Sequence, residues 1–214
     1  MNNLDTEKRY IDAEVRTQSS DDNNDMIVEG YALKFNTKSN PLTSKGVKFV
    51  ESISPEALKD ANLEDVRALI DHNPSLILAR TTANTLKLMI DDVGLRFRAI
   101  LADTSYGRDL YNNIKAGNVN QCSFAFDLDP DNGDKVTYNN ETRMYERVIK
   151  SFKTINDISI VTYPAYNDTD VAPALRSIKA VAEEEAYNVE QEYRTKLKLE
   201  LDLLKLKNDL RGDK

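Results

Sequence analysis

Along the first 160 or so positions, apolar and polar residues alternate in short bursts, and each burst predicts a strand. Tyr10 to Arg16, Met26 to Phe35, Val47 to Ile53, Val66 to Ile70, Leu76 to Arg80, Thr85 to Asp91 and Leu95 to Leu101 all read this way. Leu86, Leu88 and Ile90, then Leu95, Phe97 and Ala99, predict two half-buried antiparallel strands turned at Asp92-Val93-Gly94. The polar stretches Ser19–Asp25 and Asn36–Gly46 read as loops. Asn73-Pro74 reads as a turn, which puts His72 at a strand end. Ser54 as N-cap with Pro55 behind it predicts a short helix ending near Ala61. Asp103-Thr104-Ser105 predicts a second helix, running to about Ala116 and closed by Gly117. Tyr106, Leu110 and Ile114 give it one apolar face. A strand from Gln121 to Phe126 follows, then a turn at Asp129–Asp134 and a hairpin from Lys135 to Lys150. Ile155 to Thr162 is the last strand, closed by Tyr163-Pro164-Ala165-Tyr166.

From Ala174 to Leu210 the pattern changes to an uninterrupted run of Ala, Glu, Lys and Leu without Gly or Pro. It predicts a long helix, with a candidate break near Ile178–Ala182. Leu197, Leu201 and Leu204 form one stripe, and Leu199, Leu203, Leu206 and Leu210 another on the opposite side. A helix apolar on two sides needs two partners, so it reads as an interaction or assembly segment. The bland alternative folds it back over its own domain. The expected organisation is one domain over residues 1–172 and a helical tail over 173–214. Eight to ten short strands with hairpin turns favour a barrel or sandwich over a doubly wound sheet.

Composition narrows the function. A net charge of −7 speaks against nucleic acid as the main partner. No apolar run approaches the roughly 20 residues that span a bilayer, and Met1–Tyr10 carries no signal-peptide core. One cysteine precludes an internal disulfide and fits a reducing compartment. One histidine and one cysteine also leave too few ligands for a Cys/His zinc site. No metal or cofactor is expected, and any imidazole chemistry must use His72.

Within Gln121–Phe126 a hydroxyl and a thiol stand side by side. Successive strand side chains point to opposite faces, so Cys122 shares the face of Phe124 and Phe126 while Ser123 takes the other. That face is expected to present the hydroxyl outward. Cys122 is the rival nucleophile, but a thiol buried among apolar groups is poorly reactive. Ser123 with His72 makes a possible nucleophile–base pair, which residue pattern alone does not bring into contact.

Five segments carry a resemblance. They are Ala68–Pro74 with Leu78-Ala79-Arg80-Thr81; Gly94-Leu95-Arg96-Phe97; Asp103–Leu110; Ser123-Phe124-Ala125-Phe126; and Asp157–Tyr166. In this order they resemble the prohead maturation protease family of tailed bacteriophages, itself similar in fold to the herpesvirus assemblin proteases. The resemblance covers roughly Gly30 to Ala172. It implies an α+β, mainly β fold: an antiparallel barrel-like core with packed helices, assemblin-like, plus the long C-terminal helix. It implies a serine endopeptidase that cleaves scaffold and major capsid proteins, and itself, inside the prohead in the host cytoplasm. Ser123 becomes the nucleophile and His72 the general base. Assemblins use a second histidine as third member, which this chain lacks, so the resemblance points to the carboxylate of Asp157. Asp71 is the runner-up, disfavoured because a sequence neighbour on an extended chain points away from His72. Arg80 supports the site or binds substrate, or is held in a structural salt bridge. An oxyanion hole of backbone N–H groups is expected at no assigned position.

The chain departs from the family where it has His72-Asn73-Pro74 in place of His-Asp-Pro and Leu78-Ala79-Arg80-Thr81 in place of Leu-Gly-Arg-Thr. The tail is expected to bind scaffold or a second copy of the chain, or to be removed by self-cleavage. The alternative function is a non-catalytic capsid-assembly scaffold or adaptor on the same fold. An α/β-hydrolase esterase is disfavoured by the absence of a Gly-x-Ser-x-Gly elbow and by the order His72 before Ser123.

Overall fold

A computed structural model describes residues 6–11, 15–19, 25–44, 46–162 and 172–212. Thirteen strands and two α-helices are assigned among them. The chain divides into two compact units, Met1–Leu175 and Arg176–Lys214.

In the first unit, β1 (Glu7–Ile11), β10 (Gln121–Leu128), β13 (Phe152–Val161), β6 (Arg67–Ile70) and β7 (Asn73–Arg80) form a five-stranded sheet in that spatial order. A second sheet runs β11 (Asp134–Asn139), β12 (Met144–Ile149), β5 (Val47–Ile53), β4 (Leu42–Ser44). A third runs β2 (Arg16–Ser19), β3 (Met26–Lys34), β9 (Gly94–Ile100), β8 (Leu86–Ile90). The unit is mainly β, as expected. The expected barrel is corrected: each of the three described sheets is open, with two edge strands. The antiparallel expectation is also incomplete, because β12 pairs with β5 and β13 with β6 in parallel. Hairpin turns announce antiparallel neighbours; pairings between strands far apart in sequence leave no such local mark.

Smaller corrections have similar causes. The strand expected over Tyr10–Arg16 is replaced by β1 and β2, on different sheets. The loop expected over Asn36–Gly46 contains β4. The helix expected after Ser54 is one 3₁₀ turn, Pro55–Leu58, with Ser54 Oγ accepting from Glu56 N. The strand expected from Leu76 begins at Asn73, because the turn sits two residues earlier than expected, at Asp71-His72. Tyr163–Tyr166 lies outside the described residues.

The core of this unit packs Phe124, Phe126 and Phe152, with ring centroids 5.0–6.1 Å apart, among Leu33, Leu95, Phe97, Ile149, Ile155 and Ile158. Helix α1 (Ser105–Lys115) starts at its Thr104 cap, whose hydroxyl accepts from Gly107 N, and buries Gly107, Leu110 and Ile114. Gly107 has to be glycine: a Cβ there would lie 2.5 Å from the Ala102 carbonyl oxygen. Gly117, at φ 79°, ends the helix and turns the chain toward β10.

Helix α2 (Ala172–Gly212) runs without the expected break. Leu197, Leu199, Leu201 and Leu203 are all exposed along it, so members of both leucine stripes face solvent. No helix among the described residues is long and apolar enough to cross a membrane.

Candidate active site

The five-stranded sheet brings three distant sequence segments together because β10, β13 and β6 are neighbours. Across β10 and β13, Ser123 lies opposite Ser159 and Ala125 opposite Asp157. Directly paired residues share a face of a sheet, as do residues two apart on one strand. Ser123, Asp157 and Ser159 therefore stand on one face. Cys122, Phe124, Ile158 and Ile160 stand on the other, inside the core.

The imidazole reaches that face from the β6–β7 hairpin. Ile70 pairs with Asn73, so Asp71 and His72 form a two-residue loop. Both have positive φ, 49° and 55°, the signature of a type I′ turn. Asn and Gly adopt this shape most readily; Asp and His tolerate the left-handed region better than most residues but carry a conformational cost there. Asp71 N donates to the Ile160 carbonyl at 3.1 Å, and its carboxylate accepts from Thr162 N (3.0 Å) and Thr162 Oγ1 (3.3 Å). The runner-up carboxylate is thus turned toward Thr162.

His72 Nδ1 lies 2.7 Å from Asp157 Oδ1, and Nε2 lies 2.7 Å from Ser123 Oγ. With Asp157 ionised, Nδ1 carries the proton and donates it, which leaves Nε2 as an acceptor for the hydroxyl. The hydroxyl also lies 3.0 Å from the carbonyl oxygen of Arg9, on the neighbouring strand β1. One hydroxyl proton thus serves two acceptors. The Ser123 residue is only 3% exposed, which corrects the expectation of an outward hydroxyl. Ser123 is thus buried although it stands on the face opposite the aromatic core, with its hydroxyl between His72 and the Arg9 carbonyl.

Cys122 makes no such contacts: its thiol lies 3.6 Å from the Ser123 carbonyl oxygen. Burial, and then the charge of Asp157, push it far above the ordinary thiol range. It stays protonated at neutral pH and is a poor nucleophile.

The model of the caudovirus prohead serine protease family matches residues 12–184. The chain belongs to this family. Among solved structures, the capsid assembly protease gp21 of bacteriophage T4 is similar, with 12% identity and a TM-score of 0.42 over 72% of this chain and 98% of that one. No curated protein matches. Ser123, His72 and Asp157 stand in one hydrogen-bonded series, hydroxyl to imidazole to carboxylate, an arrangement that serine peptidases use.

Arg80 lies at the opposite end of β7 from His72, paired with Arg67 at the far end of β6. Its guanidinium binds Asp65 through Nε (2.6 Å) and Nη2 (2.8 Å). The structure therefore does not bring it to the imidazole. Two participants escaped sequence reasoning. Arg9 carries no side-chain signal, because its contribution is a carbonyl. Ser159 does carry one: the period-two spacing Asp157-x-Ser159 puts it on the carboxylate's face. Its hydroxyl donates to Asp157 Oδ1 at 2.8 Å and accepts from His72 N at 3.0 Å.

Among the described residues no group of three or more His, Cys, Asp or Glu is arranged to hold a metal ion.

Proposed function

We propose that this chain is a serine endopeptidase of prohead maturation in which Ser123 is the nucleophile, His72 the general base and Asp157 the residue that orients it. The observation that carries the reading is the continuous hydrogen-bond series from Ser123 Oγ through both imidazole nitrogens to Asp157 Oδ1, 2.7 Å at each step. Ser123 Oγ attacks the scissile carbonyl carbon as its proton passes to Nε2. The tetrahedral intermediate collapses when Nε2–H protonates the leaving amine, and an acyl-serine remains. Water, deprotonated by the same nitrogen, then hydrolyses the ester and frees Ser123. Throughout, Asp157 holds the Nδ1–H tautomer and offsets the charge of the imidazolium.

The substrates are scaffold and major capsid proteins within the prohead, in the host cytoplasm, and the enzyme also cleaves itself. The fold is read as assemblin-like, with residues 1–172 forming the protease domain. Residues 173–214 form a helical segment that binds scaffold or a second copy; the exposed leucines on both sides of α2 support that role. The test is co-expression with scaffold. Wild-type enzyme should process it, and Ser123→Ala should leave it intact while keeping an unchanged far-UV circular dichroism spectrum. Processing by a folded Ser123→Ala variant would end the assignment. A serine-directed phosphonate should label Ser123 in the wild type; absence of label on a folded enzyme would favour the scaffold or adaptor reading.

A further inference from the structure

Ser159 is fully buried, one strand away from the nucleophile and directly opposite it. Its hydroxyl makes two contacts with opposite polarity. It accepts from the backbone N–H of His72 and donates to Asp157 Oδ1, the same oxygen that faces Nδ1. One side chain therefore ties the backbone of the base to the carboxylate that orients its ring. The need for such a tie is local. His72 stands in a left-handed turn that a non-glycine residue leaves readily unless its surroundings hold it. Asp71 and Thr162 hold one half of the turn, and Ser159 holds the half that bears the imidazole.

We infer that Ser159 is a positioning residue of the reaction, setting the His72–Asp157 couple by clamping the base's backbone and the acceptor oxygen at once. The inference rests on the catalytic reading proposed above. It requires that removal of the hydroxyl change the rate step more than substrate capture, because Ser159 has no exposed atoms with which to touch a peptide.

The experiment uses the full chain. Ser159→Ala should lower kcat for peptide cleavage on the order of 10- to 100-fold, with KM within about threefold of wild type. The lone histidine makes the imaging of the couple unambiguous. In the ¹⁵N-resolved imidazole spectrum, Ser159→Ala should shift or broaden the Nδ1–H signal of His72. Ser159→Thr, which keeps the hydroxyl, should restore both kcat and that signal. Ser159→Cys, close in volume but a weaker hydrogen-bonding group, should behave like Ala and replaces it should Ala fail to fold. An unchanged imidazole spectrum, or a kcat within threefold of wild type in a folded Ala or Cys variant, overturns the inference. Cleavage that survives Ser123→Ala overturns the catalytic reading instead, and the imidazole spectrum still decides whether Ser159 sets the ring.

Discussion

Arg147→Met should be the most damaging single change away from the active site. Arg147 is 1% exposed and grips three carboxylates. Nη1 reaches Glu7 Oε2 and Glu51 Oε2 at 2.7 Å each, Nη2 reaches Glu7 Oε1 at 2.8 Å, and Nε reaches Asp134 Oδ2 at 2.6 Å. Arg9 completes the cluster through Glu51 (2.7 and 3.1 Å) and Glu7 (2.5 Å). At the buried centre of the cluster, the guanidiniums of Arg9 and Arg147 balance the carboxylates of Glu7 and Glu51, and Asp134 lies at the rim. Summing four charge-assisted hydrogen bonds at about 1.5–3 kcal/mol each would give roughly 6–12 kcal/mol, but that gross figure ignores the desolvation the guanidinium no longer suffers. Removing one partner of a buried ion pair costs about 3–5 kcal/mol net, mainly through the uncompensated charge left behind. In a domain of this size that lowers Tm by about 6–20 °C. Adding Glu7→Gln should recover some of the loss, because Arg9 and Glu51 then remain as a matched, bidentate pair. Thermal unfolding followed by circular dichroism measures both. A single variant within about 1 kcal/mol of wild type, or a double variant no better than the single, would refute the charge-balance argument. Acid supplies an independent arm. Burial alone would raise Glu51, yet Arg9 and Arg147 more than offset it and hold its carboxyl below the ordinary 4.5. A depressed carboxyl contributes stability that is full above its unfolded value and lost as pH falls through the folded one. Wild-type stability should therefore decline below about pH 4.5, and less steeply once Arg147 is gone.

Other perturbations separate the chemistry from the scaffold. Asp157→Asn should reduce kcat by on the order of 10³–10⁴, since an amide can present N–H to Nδ1 and favour the wrong tautomer; peptide cleavage assays decide it, and a near wild-type rate would move the third role elsewhere. Iodoacetamide should leave the native enzyme unmodified and active at neutral pH, because burial keeps the Cys122 thiol protonated; intact-mass measurement reads the outcome. Arg80→Ala should leave cleavage within about threefold of wild type, as expected of an exposed ion pair whose guanidinium is engaged by Asp65; a larger loss would give Arg80 a role in binding substrate.

Hydrophobic alternation located most strands of the body because each needs one face in the core, and the pleat correctly separated Cys122 from Ser123. Counting alone restricted any imidazole chemistry to His72. What remained hidden was information that no local pattern carries. The parallel pairing of β13 with β6 joins residues some 90 positions apart, and it is this pairing that carries the Asp71-His72 turn alongside Ser159. The turn itself was misplaced by two residues because Asn73-Pro74 is the stronger turn signal in sequence, while the hairpin closes on Asp71 and His72. Polar residues in an N-terminal stretch look solvent-bound, so Glu7 and Arg9 gave no sign of burial; their partners lie 42 and 140 positions away.

That buried cluster bears on the chemistry through one strand. β1 pairs with β10 so that Tyr10 lies opposite Ser123 and Arg9 opposite Phe124. The Arg9 side chain enters the ion network, while its carbonyl accepts from the Ser123 hydroxyl. An edge strand holds its partner only by ladder hydrogen bonds unless its side chains are anchored, and here two of five residues are fixed by buried charge. The network thereby sets the distance between Ser123 Oγ and a second acceptor that competes with His72 for one proton. Loosening β1 should affect the Ser123 hydroxyl before the core unfolds. In Arg147→Met, peptide cleavage should change at temperatures well below the new Tm, whereas a merely global destabilisation would leave activity untouched until unfolding begins.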